Sequence, residues 1–345
     1  MLLVALLLLA VPAGEPLGSL DEAVRWIEEA MPQVRQYDYV MTGKLRLLLP
    51  WVGRDDVGGG YIRLGEDPSG QEIVELKIGS DPSKAPRAIN RWGAATEVRR
   101  PLALDPSRRA GAFFGFMKAS RNETRESAET EIAEEGRKGR YFFQASVNRL
   151  DPLESRSWFL PFHAEQDYDL HDLEEAREMV LERFDTEAEK LEGRGLALAG
   201  TRCEPARGFL LALKDTTEAM LESGNLPGPS CYLHNSKVYR LVARKMEQRD
   251  RHEVRFQRHG GSRVRFVYED VLRADFDVTD PAGRRRTSFR LWLGKSGALR
   301  GVPLQIDYQP NWWFRVILHL DPESRSLQAG ASPFPIEKSA EKPEG

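Results

Sequence analysis

Cysteine is scarce in this chain of 345 residues: only Cys203 and Cys231 occur. Neither belongs to a CxxC pair or to a Cys/His cluster at zinc spacing, which excludes the common structural zinc modules. Long apolar runs are absent as well. Met1 to Val11 reads MLLVALLLLAV, too short for a bilayer-spanning helix, which needs about 20 apolar residues. Charge of one sign is lacking too. A formal net charge of −3 writes no global electrostatic partner, such as a nucleic-acid backbone, into the composition. Catalytic signatures are missing: no GxSxG, Walker loop, Rossmann fingerprint, HExxH or EF-hand spacing, and no internal repeat. Carboxylates are too abundant for one pair to be singled out for acid–base work. No catalytic residue, metal or cofactor is therefore assigned.

What is present points to an exported, β-rich protein. Apolar residues make up 41% and charged residues 30% of the chain, a balance that buries a core and excludes a disordered chain. The run Met1–Val11 has the length of a signal-peptide core. Val11 and Ala13 supply small residues at −3 and −1, so cleavage is expected after Ala13, with residues 1–13 as signal peptide. An isolated cysteine pair in an exported chain predicts a Cys203–Cys231 disulfide. Export places the protein in the periplasm or outside the cell.

Residues 19–160 predict a helix followed by a first strand set. Ser19-Leu20-Asp21-Glu22 forms a capping box, and Leu20, Val24, Ile27 and Met31 keep one helical face apolar. From Tyr37 the period becomes two. Gly58-Gly59-Gly60 is expected to separate one strand from Tyr61–Leu64, and Glu72–Ile78 makes the next. Ser83 then caps a short helix ending near Gly93, where Arg87, Asn90 and Arg91 could clamp an anion. Ala112–Lys118 and Arg140–Leu150 are further strands. Residues 161–232 predict a helical insertion, with helices over Leu173–Leu191 and about Ala206–Ser223. The second buries Leu210, Leu213 and Met220 and stops at Gly224. His163, Glu165, Asp167, Asp169, His171 and Asp172 concentrate metal-ligating types, but acids preceding a helix are explained by its dipole.

Residues 233–322 hold a second strand set that completes the same sheet, before a disordered polar tail at 323–345. Alternation is clearest here: Leu272, Ala274, Phe276 and Val278, then Phe289, Leu291 and Leu293, then Val302, Leu304 and Ile306. Strands that alternate so regularly should bury one face only, since doubly covered strands read as continuous apolar runs. The run Leu291-Trp292-Leu293 followed by Val302-Pro303-Leu304-Gln305-Ile306 resembles the periplasmic half-barrels of the lipoprotein-carrier (LolA-like) type and uncharacterised exported proteins like them. The resemblance covers about Ser236–Leu320. It implies a curved antiparallel sheet wrapped around a helix, with an apolar concave side.

The expected fold is thus α+β, a curved antiparallel sheet or partial β-barrel with inserted helices. Phe276, Leu291, Leu304, Ile306, Trp312, Trp313 and Phe314 are the candidate lining of an apolar site. The function expected is non-catalytic: binding an apolar small molecule or lipid, or an envelope protein, with no nucleic acid and no transmembrane helix in the mature chain. The alternative is a secreted hydrolase, possibly metal-dependent.

Overall fold

Alternation of apolar and polar residues at period two lays down most of the architecture. The computed structural model describes residues 25–27, 29–30, 34–46, 51–81, 83–86, 92–101, 109–119, 140–150, 153–163, 207–234 and 237–323. In chain order the strands are β1 (Arg35–Arg46), β2 (Trp51–Glu66), β3 (Glu72–Ser80), β4 (Trp92–Pro101), β5 (Arg109–Ala119), β6 (Arg140–Leu150) and β7 (Leu153–His163). Helix α1 (Phe209–Ser223) follows, then β8 (Ser230–His234), β9 (Lys237–Gln257), β10 (Arg263–Thr279), β11 (Arg285–Gly294), β12 (Pro303–Asn311) and β13 (Phe314–Leu320). All belong to one 13-stranded sheet, in the order β7-β6-β5-β4-β3-β2-β1-β13-β12-β11-β10-β9-β8. Every pairing is antiparallel, and β1 joins the two strand sets by pairing with β13, Tyr39 opposite Leu320 and Leu45 opposite Phe314. The fold is α+β, a strongly curved sheet with few helices.

The triple glycine does not end a strand. β2 runs through it from Trp51 to Glu66, and both neighbours crowd against it. A Cβ at Gly58 would overlap the Gly79 carbonyl oxygen, one at Gly59 that of Tyr39, and one at Gly60 that of Lys77. The glycines allow β1 and β3 to close in where the sheet bends. Gly60→Ala should therefore cost about 2 kcal/mol, read as a lower urea midpoint. An unchanged midpoint would refute this account of the bend.

The end of the short helix expected near Gly93 is also corrected, its residues 87–91 lying outside the described residues. Asp81, not Ser83, organises this turn, accepting from Ser83 N–H at 2.9 Å and Ser83 Oγ at 2.6 Å. Trp92 and Gly93 already lie in β4, opposite Gly79 and Ile78.

The sheet folds over itself as well as curving. Asp270 of β10 has φ +50°, an uncommon conformation that aspartate tolerates better than most residues. The apolar residues keep their period of two across it but change cores. Val264, Phe266 and Tyr268 precede it in one core cluster with Val271, whereas Leu272, Ala274, Phe276 and Val278 follow in another. The distal half of the β9–β10 hairpin thus turns back over the outer face of β11–β13. His252 stacks on Trp292 with centroids 4.9 Å apart and meets Gln305 at 3.1 Å. Phe256 stacks on His319 at 5.5 Å, and the Tyr268 hydroxyl donates to the Leu320 carbonyl at 3.1 Å. Asp55 and Asp56 of β2 hold the hairpin's far end, accepting from the N–H groups of Gln257 (3.0 Å) and His259 (2.8 Å).

The expectation that β11–β13 bury one face only is overturned here. Trp292, Gln305, Asp307 and His319 are all buried, on the face opposite Leu291, Ile306 and Leu318. Asp307 and Gln305 have partners, while the buried Nδ1 of His319 has no hydrogen-bond partner among the described residues, and the strands keep an alternating sequence without a wet face. Arg315 binds Asp307 with Nε at 2.6 Å, and the hydrogen bond of His252 serves Gln305.

Candidate functional site

The concave side of the sheet carries the apolar positions of both strand sets: Tyr37 and Tyr39 of β1, Ile62 and Leu64 of β2, Val74 and Leu76 of β3, Leu291 and Leu293 of β11, and Leu318 of β13. Helix α1 lies across this side, between β3–β4 and β8–β9. Its local sequence explains its extent. Leu210, Leu211 and Met220 are buried, and Gly224 ends it in the left-handed region (φ +67°), with its N–H bonded to the Met220 carbonyl.

The amino end of α1 is held by a strand residue rather than by its own cap. Glu97 of β4, only 1% exposed, accepts from the N–H groups of Leu210 at 2.7 Å and Leu211 at 2.9 Å. A Cβ at residue 208 would overlap this carboxylate, so Gly208 is what lets the helix start there. Burial pushes the Glu97 carboxyl up to about 7, against the opposing pull of the Leu211 and Leu210 N–H groups.

Next to it runs a chain of ion pairs. Arg99 of β4 donates two bonds of 2.7 Å to Asp215 of α1, Arg207 binds the same carboxylate, and Arg99 also binds Glu72. Lys214 reaches Glu72 at 2.8 Å and Glu218 at 2.7 Å. Burial raises the Asp215 pKa, but the bonds and charges of Arg99 and Arg207 outweigh it and hold the carboxyl below its ordinary value. Glu72, Asp215 and Glu218 do bring carboxylate oxygens together. Arg99 and Lys214 already neutralise them, so the group reads as the helix's dock.

The opposite flank of α1 is apolar. Phe209 packs edge-on to Tyr232 and Phe289 at 5.4 and 5.8 Å, and Ala212 and Met220 join Leu241, Ala243 and Leu272. Held on both sides, the helix roofs a cavity of about 970 Å³. Its walls are Ile62, Leu64, Val74, Leu76 and Ile78 from one strand set and Val278, Phe289, Leu291, Leu293, Ile306, Val316 and Leu318 from the other, with Leu213 in the roof. The two ends differ. Arg35, Glu66 and Arg300 stand at one. At the other lie Tyr308 and Thr287, whose Oγ1 is buried and has no hydrogen-bond partner.

Of the residues expected to line an apolar site, Leu291 and Ile306 do so. Phe276 lies one layer behind, stacked on Phe289 at 5.1 Å. Leu304 belongs to the core cluster of Tyr39 and Trp292. A β-bulge explains this: Trp292 faces Gln305 but Leu293 faces Pro303, so Leu304 is the extra residue and leaves the cavity wall. Trp312 and Trp313 form the exposed β12–β13 turn, and Phe314 is half-buried beside Trp313. Arg87, Asn90 and Arg91, the segment 164–206 with the helix Leu173–Leu191, Asp167, Asp169 and His171, the signal segment 1–13 and the tail from 324 lie outside the described residues. Cys203 does too. No disulfide occurs among the described residues, where Cys231 sits half-buried on β8 and burial raises its thiol pKa.

The structure therefore defines an open, barrel-like antiparallel sheet with an apolar cavity beneath one helix. No protein-family model matches the chain, and no curated protein matches it. Among solved structures it is similar to a crystal structure of a β-barrel-like protein of a domain of unknown function, DUF1849, from Brucella abortus. That match has 8% sequence identity and a TM-score of 0.43, over 84% of this chain and 96% of that one. The barrel-like sheet agrees with the architecture expected from the strand pattern, while the likeness to lipoprotein carriers stays one of strand pattern alone.

Proposed function

We propose that this chain is an exported, non-catalytic binding protein whose cavity takes an apolar small molecule or lipid. The observation that carries the reading is the cavity itself. About 970 Å³ lies within the range of small-ligand sites, which are apolar with few polar groups for orientation. Thr287 and the charged end at Arg35 and Arg300 supply those few. Export is supported by the apolar run Met1–Val11 and the small residues Val11 and Ala13. A native-host preparation beginning near Gly14 is the expected result, and a retained Met1 would remove that part of the proposal.

The test of binding is titration with a fluorescent fatty acid. Leu213→Trp puts an indole into the cavity from a half-buried position on α1. It should weaken binding about tenfold, roughly 1.4 kcal/mol, with little change in melting temperature. Failure of the wild type to bind any apolar probe would defeat the reading, as would undiminished binding by the filled variant.

A further inference from the structure

Among the described residues six large hydrophobic side chains are exposed, and five of them gather at one end of the sheet: Trp312 (68%), Val52 (52%), Leu45 (42%), Trp313 (41%) and Tyr308 (36%). Register explains the grouping. Leu45 pairs with Val52 on one side and with Phe314 on the other, and the Trp313 carbonyl accepts the Arg46 N–H at 2.8 Å. Phe314 lies two residues before Val316, and Val316 faces Tyr308 across β12–β13. Both Val316 and Tyr308 line the cavity. The apolar concave stripe therefore continues past the cavity and out to the rim, where the two tryptophans cap it.

The exposed charged side chains at this rim are cationic. Lys44, Arg46 and Arg54 flank Leu45 and Val52, and Arg46 and Arg54 are exposed. None of the three has an ion pair among the described residues. Of the nearby carboxylates, Asp307 is ion-paired with Arg315, and the half-buried Asp55 is turned to the Thr42 hydroxyl and the Gln257 N–H. Exposed apolar patches mark interaction sites. Tryptophan favours the bilayer–water interface, where its ring is half apolar and its N–H stays wet. Flanking cations without partners complement an anionic lipid surface.

We propose that this end of the sheet docks on a lipid bilayer bearing anionic headgroups, with Trp312 and Trp313 entering the interfacial layer and Lys44, Arg46 and Arg54 meeting the headgroups. Apart from Tyr308, which also lines the cavity, the docking surface stands on residues outside it, and docking does not depend on what the cavity holds. Its position at the Tyr308 end would present the cavity to the membrane.

The experiment is flotation of the purified chain with vesicles of phosphatidylcholine alone and of equal parts phosphatidylcholine and phosphatidylglycerol. The wild type should float with the mixed vesicles, with a blue shift of tryptophan emission, and more weakly with phosphatidylcholine alone. Trp312→Ala with Trp313→Ala should lower partitioning at least about tenfold. Arg46→Glu with Arg54→Glu should abolish the preference for the anionic vesicles while leaving the melting temperature unchanged. Fatty-acid titration in solution should be the same for both variants and the wild type, which separates this surface from the cavity. No flotation of the wild type, or flotation that survives loss of both tryptophans, would overturn the proposal. So would a protein partner that needs the same tryptophans while vesicles stay unbound.

Discussion

Asp215→Ala is expected to destabilise the fold by about 3–5 kcal/mol, the scale on which breaking a buried ion pair from one side operates. Asp215 accepts both fork nitrogens of Arg99 and also binds Arg207. The side chains of these arginines are only 10% and 7% exposed. Truncation leaves two guanidinium groups short of their carboxylate in a site that water reaches poorly. Urea unfolding should show the loss as a lower midpoint with an unchanged slope. Because the same pairs hold α1 over the cavity, affinity for an apolar probe should fall with it. A loss under about 1 kcal/mol would mean that the helix is docked by its apolar flank alone.

The second large effect is a dependence on pH that originates at Glu97. Its folded-state pKa is about 7 against 4.5 for the ordinary side chain, because burial disfavours the carboxylate. Within that window the folded protein keeps a proton that the unfolded chain has released. Stability is therefore full below the lower value and is lost as pH rises through the upper one, by about 3 kcal/mol in all. His319 works in the opposite sense. Burial lowers its pKa from 6.5 to about 4, so its contribution is full above the higher value and is lost on acidification. The two slopes nearly cancel where the windows overlap.

The informative measurement is accordingly the difference between wild type and Glu97→Gln. The wild type should be nearly flat from 4.5 to 6.5, decline only between 6.5 and about 7, and be level above that. The variant should lose the decline and show the rise with pH due to His319. Parallel curves for the two proteins from about pH 5 to about pH 8 would show that Glu97 does not titrate in this window.

Much of the sheet is legible in the amino-acid order. The strand expected at Arg140–Leu150 is β6, and the helix expected to stop at Gly224 does so, because period-two and helical apolar spacing are local properties. β4 is the instructive omission. Its inward positions include Glu97 and Arg99, whose partners arrive more than a hundred residues later on α1. A strand whose buried positions are ionic carries no apolar signature. Gly58-Gly59-Gly60 misleads for a related reason: glycine reads as a breaker unless the neighbouring backbones that need its missing side chain are known.

By itself the sequence determined that this chain builds a curved antiparallel sheet with an apolar side and a helix to cover it, since alternation and capping act over a few residues. Tertiary structure alone decided that Leu291 and Ile306 face the cavity while Leu304 does not, because one bulge between β11 and β12 shifts the register. It also decided that the convex face of β11–β13 is covered, because the distal half of the β9–β10 hairpin lies on it, with His252 against Trp292 and Phe256 against His319. The first is a one-residue event in a lattice of period two, where a slip of one exchanges inside for outside, and the second rests on contacts between strands distant along the chain, which local alternation does not encode.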